Sequence, residues 1–478
     1  MNIYKSILNV SAIIALTFLF SCNTEKAKSN KAVIKGNFIQ FEGLTAVIKS
    51  SSPFQLESDT LITDANGSFI FETEIKKPTY YTVSFVGKRT ALIVYVRPGD
   101  SLLINANSGD DIMTTVRFGG NAPIYNDYIL RSESINNTFN QSLMSILGQE
   151  EKTAINSIDS VRALHADEIA ALQKGNANID PVFIKTEVAR SLYQWAILHQ
   201  LYPDYYAYIH KLENKDEHVL SPEFDTYLAE VNLNDEELIN LPIYIDFVQT
   251  YLRADFNKFY EDSLSNEYAS YANFQLKTIS KKIESKNIKA ILAYKSISEQ
   301  VMYQGNKDKD SYWETFNSLC TDDNLKNDIS VKLASWAHLN RGSAIEEIAM
   351  QDTLGNKIHF SDFIGKWIYI DVWATWCSPC RKEIPVLKEL EEEFKGQDVV
   401  FMSISVDRSP EPWKKMVKAE ELKGVQVWAG QNQVINDFYK VSGIPRFMIF
   451  DPQGKIYEAN ADRPSMGAGE VIKNLLKK

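Results

Sequence analysis

The sequence predicts a multidomain protein with an N-terminal antiparallel β-sandwich or barrel-like domain, a central all-α domain and a C-terminal α/β domain. Short runs of alternating apolar and polar residues fill 32–118, apolar residues at helical spacing fill 119–342, and strand patterns alternate with helix patterns over 343–478. A chain of 478 residues is too long for one hydrophobic core, which agrees with such a division.

The N-terminal segment is predicted to lie outside the folded domains. Lys5 precedes a largely apolar stretch at 7–20 that is too short for a comfortable membrane span and has the proportions of a signal peptide. Residues 19–22 are similar to a bacterial lipobox, in which the cysteine, here Cys22, becomes the lipidated first residue of the mature protein. This predicts a signal peptide over 1–21, a tether over 22–31 and a periplasm-facing protein anchored to a membrane, with the outer membrane favoured. A plain secretory signal is the alternative.

The β domain, 32–118, is indicated by residues that alternate between two faces. Phe69, Phe71 and Ile75 fall on the same face of one run, as a half-buried strand requires. Asn66 and Gly67 supply turn chemistry just before it. Strands this short and this regularly spaced are typical of a small sandwich or barrel.

The helical domain, 119–342, is indicated by three- and four-residue steps between apolar side chains. Leu325, Ile329 and Leu333 mark one face of a helix, and Asp180 followed by Pro181 is typical of a helix start. The tyrosines at 202, 205, 206 and 208 could line a peptide groove, but such a cluster is more often a surface on which helices pack.

The last domain, 343–478, alternates strands with helices. A hairpin is predicted around 352–356, followed by strands at 367–372, 399–406 and 447–450. Helices are predicted after Cys377, near Pro412, near Gln433 and from Gly469 to the end of the chain.

Charge excludes one class of function. The formal net charge is −11, and residues 341–478 are almost balanced, with 19 basic and 20 acidic side chains. The acidic surplus therefore lies upstream of residue 341. It argues against nucleic-acid binding, which requires a basic surface.

The four cysteines indicate catalysis rather than a disulfide scaffold. With Cys22 lipidated, one close pair, Cys377 and Cys380, and the single Cys320 remain. Cys320 follows apolar residues at helical spacing, which favours a buried inert thiol over a resolving cysteine. No second Cys or His pair has zinc-site spacing, so no metal is expected.

The dithiol lies where a reactive thiolate is expected. The apolar run at 367–373 predicts a buried strand, and Cys377 follows it at the start of a helix. The unpaired N–H groups and the positive dipole end of that helix stabilise a thiolate. Because thiolates attack disulfides, this arrangement predicts thiol–disulfide exchange.

Three elements in order resemble the thioredoxin superfamily and, within it, the TlpA/ResA-like periplasmic thiol–disulfide oxidoreductases. They are the segment from Asp371 to Cys380, the segment from Arg381 to Pro385, and Gly443–Ile444–Pro445. The resemblance covers about the last 130 residues and implies a thioredoxin fold. It also implies that the Cys377–Cys380 disulfide is the redox group and that no other cofactor is needed.

The resemblance implies roles for the residues around the dithiol. Cys377 would attack, Cys380 would resolve the mixed disulfide, and Trp376 would shield the pair, with plain core packing as the alternative for Trp376. Pro445 matches the family's cis-proline, so Ile444 would offer its backbone to a bound peptide. Arg446 either biases this groove toward acidic substrates or is a solvated side chain.

Two carboxyl groups are candidate proton carriers. Asp371 matches the buried acid that exchanges a proton with the second cysteine, and burial would raise its pKa as that role requires. The alignment puts Ser403 where thioredoxins carry a partner lysine. Glu383 matches the active-site glutamate of the TlpA/ResA group, with an ordinary first-turn acid as the alternative.

The predicted function is reduction of protein disulfides by a membrane-tethered enzyme. By resemblance, its partners are protein disulfide substrates and a membrane thiol donor of the DsbD/CcdA type, and cytochrome c maturation is one setting. The alternatives are a thiol peroxidase, whose usual cysteine motif is missing, and a binding or assembly lipoprotein in which the upstream domains carry the function.

Overall fold

The computed structural model describes residues 30–56, 58–88, 91–107, 112–212, 217–261 and 269–477. These residues form two compact units. Ser51–Leu56 and the residues from Ile135 onward make the second unit, and the remaining residues up to Ser134 make the first. The predicted signal peptide, Cys22 and most of the tether lie outside the described residues. Within the described part of the chain, no helix combines the length and apolar character needed to cross a bilayer.

The first unit contains two four-stranded sheets around one core. Their orders are β4–β1–β7–β8 and β3–β2–β5–β6. Side chains from both sheets, such as Phe38, Ile48, Val83 and Leu102, belong to a single buried cluster. The elements are β1 (Lys31–Ile39), β2 (Thr45–Ser50), β3 (Ser58–Ile62), β4 (Ser68–Glu74), β5 (Thr79–Phe85), β6 (Ala91–Val96), β7 (Ser101–Asn107), α1 (Ile112–Thr115) and β8 (Arg117–Gly120).

One strand pair departs from the predicted antiparallel arrangement. β1 and β7 are parallel, with Ile34 opposite Leu102. The prediction is wrong for this pair because side chains alternate in the same way along parallel and antiparallel strands, so the alternation does not fix direction. The other described pairs in the two sheets are antiparallel.

The middle of the chain is helical, as the spacing of apolar residues predicts. Asp180 accepts a hydrogen bond from the N–H of Val182 at 2.9 Å and caps the longest of these helices. Tyr202 is buried and donates to the carbonyl of Gln149, so it packs between helices instead of lining a groove. The helices are α2 (Pro123–Leu147), α3 (Glu151–Gly175), α4 (Pro181–His210), α5 (Pro242–Glu261), α6 (Tyr271–Lys282), α7 (Lys286–Gln304), α8 (Lys309–Leu319) and α9 (Asp323–Ala334).

The C-terminal region is an α/β structure around a seven-stranded sheet. The sheet order is β10–β9–β13–β12–β11–β14–β15, with β11, β12 and β13 parallel and β14 antiparallel to β11. β11 lies between two strands and is buried on both faces, which explains its continuous apolar sequence. The elements are β9 (Met350–Gln351), β10 (Lys357–Ile358), β11 (Trp367–Trp373), α10 (Ser378–Glu393), β12 (Val399–Ser405), α11 (Pro410–Ala419), β13 (Val425–Trp428), α12 (Gln433–Asp437), β14 (Arg446–Phe450), β15 (Ile456–Glu458) and α13 (Ala468–Leu475).

The helical and α/β regions belong to the same compact unit. A ring nitrogen of His338 lies 2.8 Å from the carbonyl oxygen of Phe438, and Lys307 forms an ion pair of 2.8 Å with Asp462. The domain boundary predicted at 342 falls inside this unit and stays a prediction, as does the boundary at 118. All eight tryptophans of the chain lie in this second unit.

Candidate active site

Strand β11 delivers the cysteine pair to the start of helix α10. Cys377 is the N-cap residue, and its Sγ accepts a hydrogen bond from the N–H of Cys380 at 3.2 Å. The two sulfurs form a disulfide, with 5.3 Å between the Cα atoms. Cys377 is only 4% exposed and Cys380 3% exposed, so both sulfurs are largely covered in this oxidised state. The backbone N–H that contacts sulfur is the group expected to stabilise a thiolate there.

The turn before the dithiol is held by Asp407, which the sequence analysis missed. Its carboxylate accepts hydrogen bonds from the backbone N–H of Thr375 at 3.0 Å and from the Thr375 hydroxyl at 2.8 Å. The hydroxyl of Ser405 donates to the same carboxylate at 2.9 Å. Asp407 follows β12, the parallel neighbour of β11. An acid just after the carboxyl end of such a strand was the available sequence signal, because active-site loops gather at that edge.

The loop before β14 lies against the dithiol. The Ile444–Pro445 peptide bond is cis, in agreement with the resemblance. The carbonyl oxygen of Ile444 lies 3.7 Å from Sγ of Cys377. The exposed edge of this loop is therefore next to the sulfur that a substrate would have to reach.

Arg446 does not face the substrate side. It is buried in β14, where its guanidinium donates to Asn460 and to the carbonyl of Ala459 and lies over the ring of Trp336. Burial lowers its pKa to about 10. Both predicted roles, a bias toward acidic substrates and a solvated side chain, are wrong, because β14 is covered on both faces.

Trp376 is an exposed aromatic side chain next to the cysteines. Its side chain is 69% exposed, so the core-packing alternative is wrong. Trp373 and Trp413 surround the dithiol from inside instead, in one buried cluster with the two cysteines. A large exposed ring next to a redox pair offers contact area to a bound polypeptide.

Asp371 is buried in the middle of β11. Ser403 stands opposite it on β12, as the alignment predicts, and Asp371 Oδ1 has no hydrogen-bond partner among the described residues. Burial, as the largest cause, and the charges of Glu383 and Glu391 together raise the pKa of Asp371 to about 8. A carboxyl group with such a pKa can hold or release a proton near neutral pH.

Glu383 is buried on α10 and is held by a partner that the sequence analysis missed. Its carboxylate accepts hydrogen bonds from the backbone N–H of Ser465 at 3.1 Å and from the Ser465 hydroxyl at 2.9 Å. Arg463 lies 4.0 Å away. An ordinary first-turn acid would be solvated, so the burial of Glu383 argues against that alternative.

Cys320 is a fully buried thiol distant in sequence from the redox pair. Burial raises its pKa to about 11, and a buried protonated thiol does not exchange with disulfides. Among the residues that the structure describes, no three His, Cys, Asp or Glu side chains are grouped to hold a metal ion.

Part of the chain is similar to known proteins. A thioredoxin-like family model matches residues 365–456. The thiol-disulfide oxidoreductase ResA of Bacillus subtilis is 31% identical over 118 residues, which is 25% of this chain and 65% of that protein. ResA of Bacillus cereus is 31% identical over 117 residues, which is 24% of this chain and 67% of that protein.

One solved structure is similar to part of this chain. The thioredoxin domain of a thiol-disulfide oxidoreductase from Bacteroides vulgatus is 30% identical, and the match covers 29% of this chain and 98% of that one, with a TM-score of 0.27. The family model spans the strand, the dithiol and the loop described above. The chain belongs to the thioredoxin-like thiol-disulfide oxidoreductases.

Proposed function

We propose that the protein reduces disulfides of client proteins through Cys377 and Cys380. One observation carries this proposal: the cysteine pair sits at the N-terminus of α10, with the Cys380 N–H on Cys377 Sγ and the Ile444 carbonyl 3.7 Å from that sulfur. This is an environment that favours a thiolate beside an exposed loop edge.

The first step is attack by reduced Cys377 on the client. The Cys377 thiolate attacks one sulfur of the client disulfide, a mixed disulfide forms, and the client's S–S bond breaks. The departing client sulfur leaves as a thiolate and takes a proton from water. Trp376 and the backbone of Ile444 contact the client polypeptide in this step.

The second step releases the client. Cys380 gives up its thiol proton and attacks Sγ of Cys377, which expels the second client sulfur as a thiolate that takes a proton from water. The result is a client dithiol and the Cys377–Cys380 disulfide, the state that the structure contains. Asp371 accepts the proton of Cys380, and the charge of the nearby Glu383 supports this by raising the pKa of Asp371.

We also propose where the enzyme acts and what returns electrons to it. Cys22 carries a lipid anchor, and acyl chains hold the enzyme at a membrane with its active site facing the periplasm. Each turnover oxidises the pair, so a donor protein with its own dithiol must return two electrons. The pair itself is the redox group, and no further cofactor takes part.

A redox titration combined with a trapping experiment tests the proposal. We expect a reduction potential near that of thioredoxin, about −270 mV. We also expect the protein to reduce the disulfides of insulin and the Cys377→Ser variant to lose this activity. Cys380→Ser should accumulate mixed disulfides with client proteins. A potential near about −120 mV, typical of strong oxidants, would overturn the direction, and a Cys377→Ser variant as active as the wild type would overturn the mechanism.

A further inference from the structure

The C-terminal end of helix α7 lies directly beside the loop that contacts the redox pair. The hydroxyl of Ser442 donates a hydrogen bond to the carbonyl of Met302 at 3.3 Å. A Cβ placed on Gly443 would lie 3.6 Å from Cε1 of the Tyr303 ring. The helical region therefore touches the two residues that precede Ile444, whose carbonyl contacts Cys377.

Two further contacts fix the end of α7 in this place. Gly305 ends the helix with a φ of +60°, and its backbone lies so close to the Trp336 ring that a Cβ would come within 2.4 Å of a ring carbon. Just beyond it, Lys307 forms a 2.8 Å ion pair with Asp462 of the α/β region. The neighbourhood of Met302, Tyr303 and the redox loop is thus held from two sides.

Two side chains at this end of α7, Met302 and Tyr303, are largely apolar and exposed. Met302 is 47% exposed and Tyr303 is 42% exposed, and Trp376, the residue before Cys377, is 69% exposed. A single exposed apolar residue needs no explanation. Two adjacent ones beside the loop of a redox centre, with a third next to the reactive cysteine, indicate a contact surface.

We infer that Met302 and Tyr303 dock the client polypeptide beside its reacting cysteine, and that the occupant is an extended segment with an apolar side chain two or three residues from that cysteine. The inference rests on the proposed function. A client disulfide must reach Cys377 past Ile444, so the chain on one side of its cysteine runs over Gly443 and Ser442. At about 3.3 Å per extended residue, two or three residues bring it to the end of α7.

The chemistry of this surface favours apolar over charged client segments. Two cations of the same region already have partners, Lys307 in its ion pair with Asp462 and Arg446 in its hydrogen bond to Asn460. Met has a flexible thioether that adapts to different partners, and Tyr supplies a large ring at low conformational cost. The helical region thereby selects clients in addition to supporting the redox domain.

Competing substrates test this inference in the full-length chain. We expect Met302→Ala combined with Tyr303→Ala to lower the ratio of the rate constant for insulin to that for the small disulfide 5,5′-dithiobis(2-nitrobenzoate) by about tenfold. The matched control combines Met144→Ala and Tyr208→Ala, which remove the same residue types from exposed positions on α2 and α4. The control should keep the wild-type ratio.

The outcomes separate this inference from the proposed function. Wild-type protein that reduces neither substrate would overturn the proposed function itself. Wild-type protein that reduces both, together with an unchanged ratio in the double variant, would overturn only the docking role. If the surface instead paired two copies of the chain, the double variant would change the sedimentation coefficient and leave the ratio unaltered, which also contradicts the inference.

Crosslinking gives a second readout that does not depend on rates. In Cys380→Ser protein trapped as a mixed disulfide with insulin, a photoreactive p-benzoylphenylalanine at position 303 should crosslink to the insulin chain. The same group at position 208 should not. Equal crosslinking from both positions, or none from 303, would count against docking at α7.

Discussion

Asp371 is a carboxyl group buried inside a strand with a serine where related folds place a lysine. Burial, Glu383 and Glu391 all raise its pKa, to about 8. Glu391 is itself shifted, because its partial burial raises its pKa to about 7. The α/β region therefore holds acidic groups that titrate near neutral pH, and its stability should depend on pH in that range.

The first prediction concerns the pH dependence of stability. Between about pH 4 and pH 8 the folded protein keeps a proton on Asp371 that the unfolded chain has released. The free energy of unfolding should therefore fall as pH rises through this range, by at most about 1.4 kcal/mol per pH unit from this group. Asp371→Asn removes the contribution, so its advantage over the wild type should grow from pH 5 to pH 8.

Urea unfolding of the oxidised proteins at pH 5, 6, 7 and 8 measures this difference. Asp398→Asn, at an exposed position before β12, is the control and should follow the wild type. Parallel curves for wild type and Asp371→Asn would show that the proton on Asp371 is not linked to folding.

At the scale of residues, the sequence identified the groups that chemistry requires and missed the groups that hold them. Cys377, Cys380 and Asp371 are recognisable from their order along the chain. Asp407 and Ser465 act through hydrogen bonds to residues 32 and 82 positions away, and such pairs leave no local pattern. The surroundings of Arg446 could not be predicted either, because Asn460 and Trp336 are distant in sequence and contact it only in the folded structure.

At the scale of elements, the long strands of the last domain were predictable, and two of its short strands were not. β11, β12 and β14 match the predicted strands to within one residue, and the hairpin of β9 and β10 is present. β13 and β15 were missed because four and three residues carry too little periodicity. The end of α7 is equally invisible in sequence, since its position depends on Gly305 meeting the Trp336 ring.

The second prediction tests that close approach. Gly305→Ala adds a methyl group to a residue with φ +60° and places it 2.4 Å from a carbon of Trp336. We expect the free energy of unfolding to fall by about 3 kcal/mol, from backbone strain and overpacking together.

Gly342→Ala is the matched control for this variant. Gly342 has a φ of +86° and no atom within 4 Å of the added methyl group, so only backbone strain of about 1 kcal/mol is expected. Urea midpoints from circular dichroism compare the two. Equal losses in both variants would mean that the contact with Trp336 imposes no steric cost.

At the scale of the whole molecule, the helical and α/β regions form one compact unit that the change of sequence pattern does not reveal. The sequence pattern shows only the local period of apolar residues. Contacts that join the two regions, such as the Lys307–Asp462 ion pair, connect residues more than a hundred positions apart. The division into secondary-structure classes was therefore predictable, and the joining of two classes into one unit was not.

The third prediction follows from that shared unit. Leu333→Ala removes a buried side chain from α9 and should lower the free energy of unfolding by about 3 kcal/mol. If the unit opens cooperatively, the amides of β11 should exchange hydrogen faster by a corresponding amount.

Hydrogen exchange followed by mass spectrometry measures this coupling. Val331→Ala, an exposed position on the same helix, should leave the exchange of β11 unchanged. Faster exchange confined to α7–α9 in the Leu333→Ala protein would show that the two regions open separately.

The positions of the tryptophans determine which part of this protein can be followed by tryptophan fluorescence. Because all eight lie in the second unit, the emission of indole reports on the helical and α/β regions and is silent about the β-sheets of the first unit. A chain whose first unit had melted could still give a native emission spectrum, so its integrity has to be followed through tyrosine or the peptide backbone.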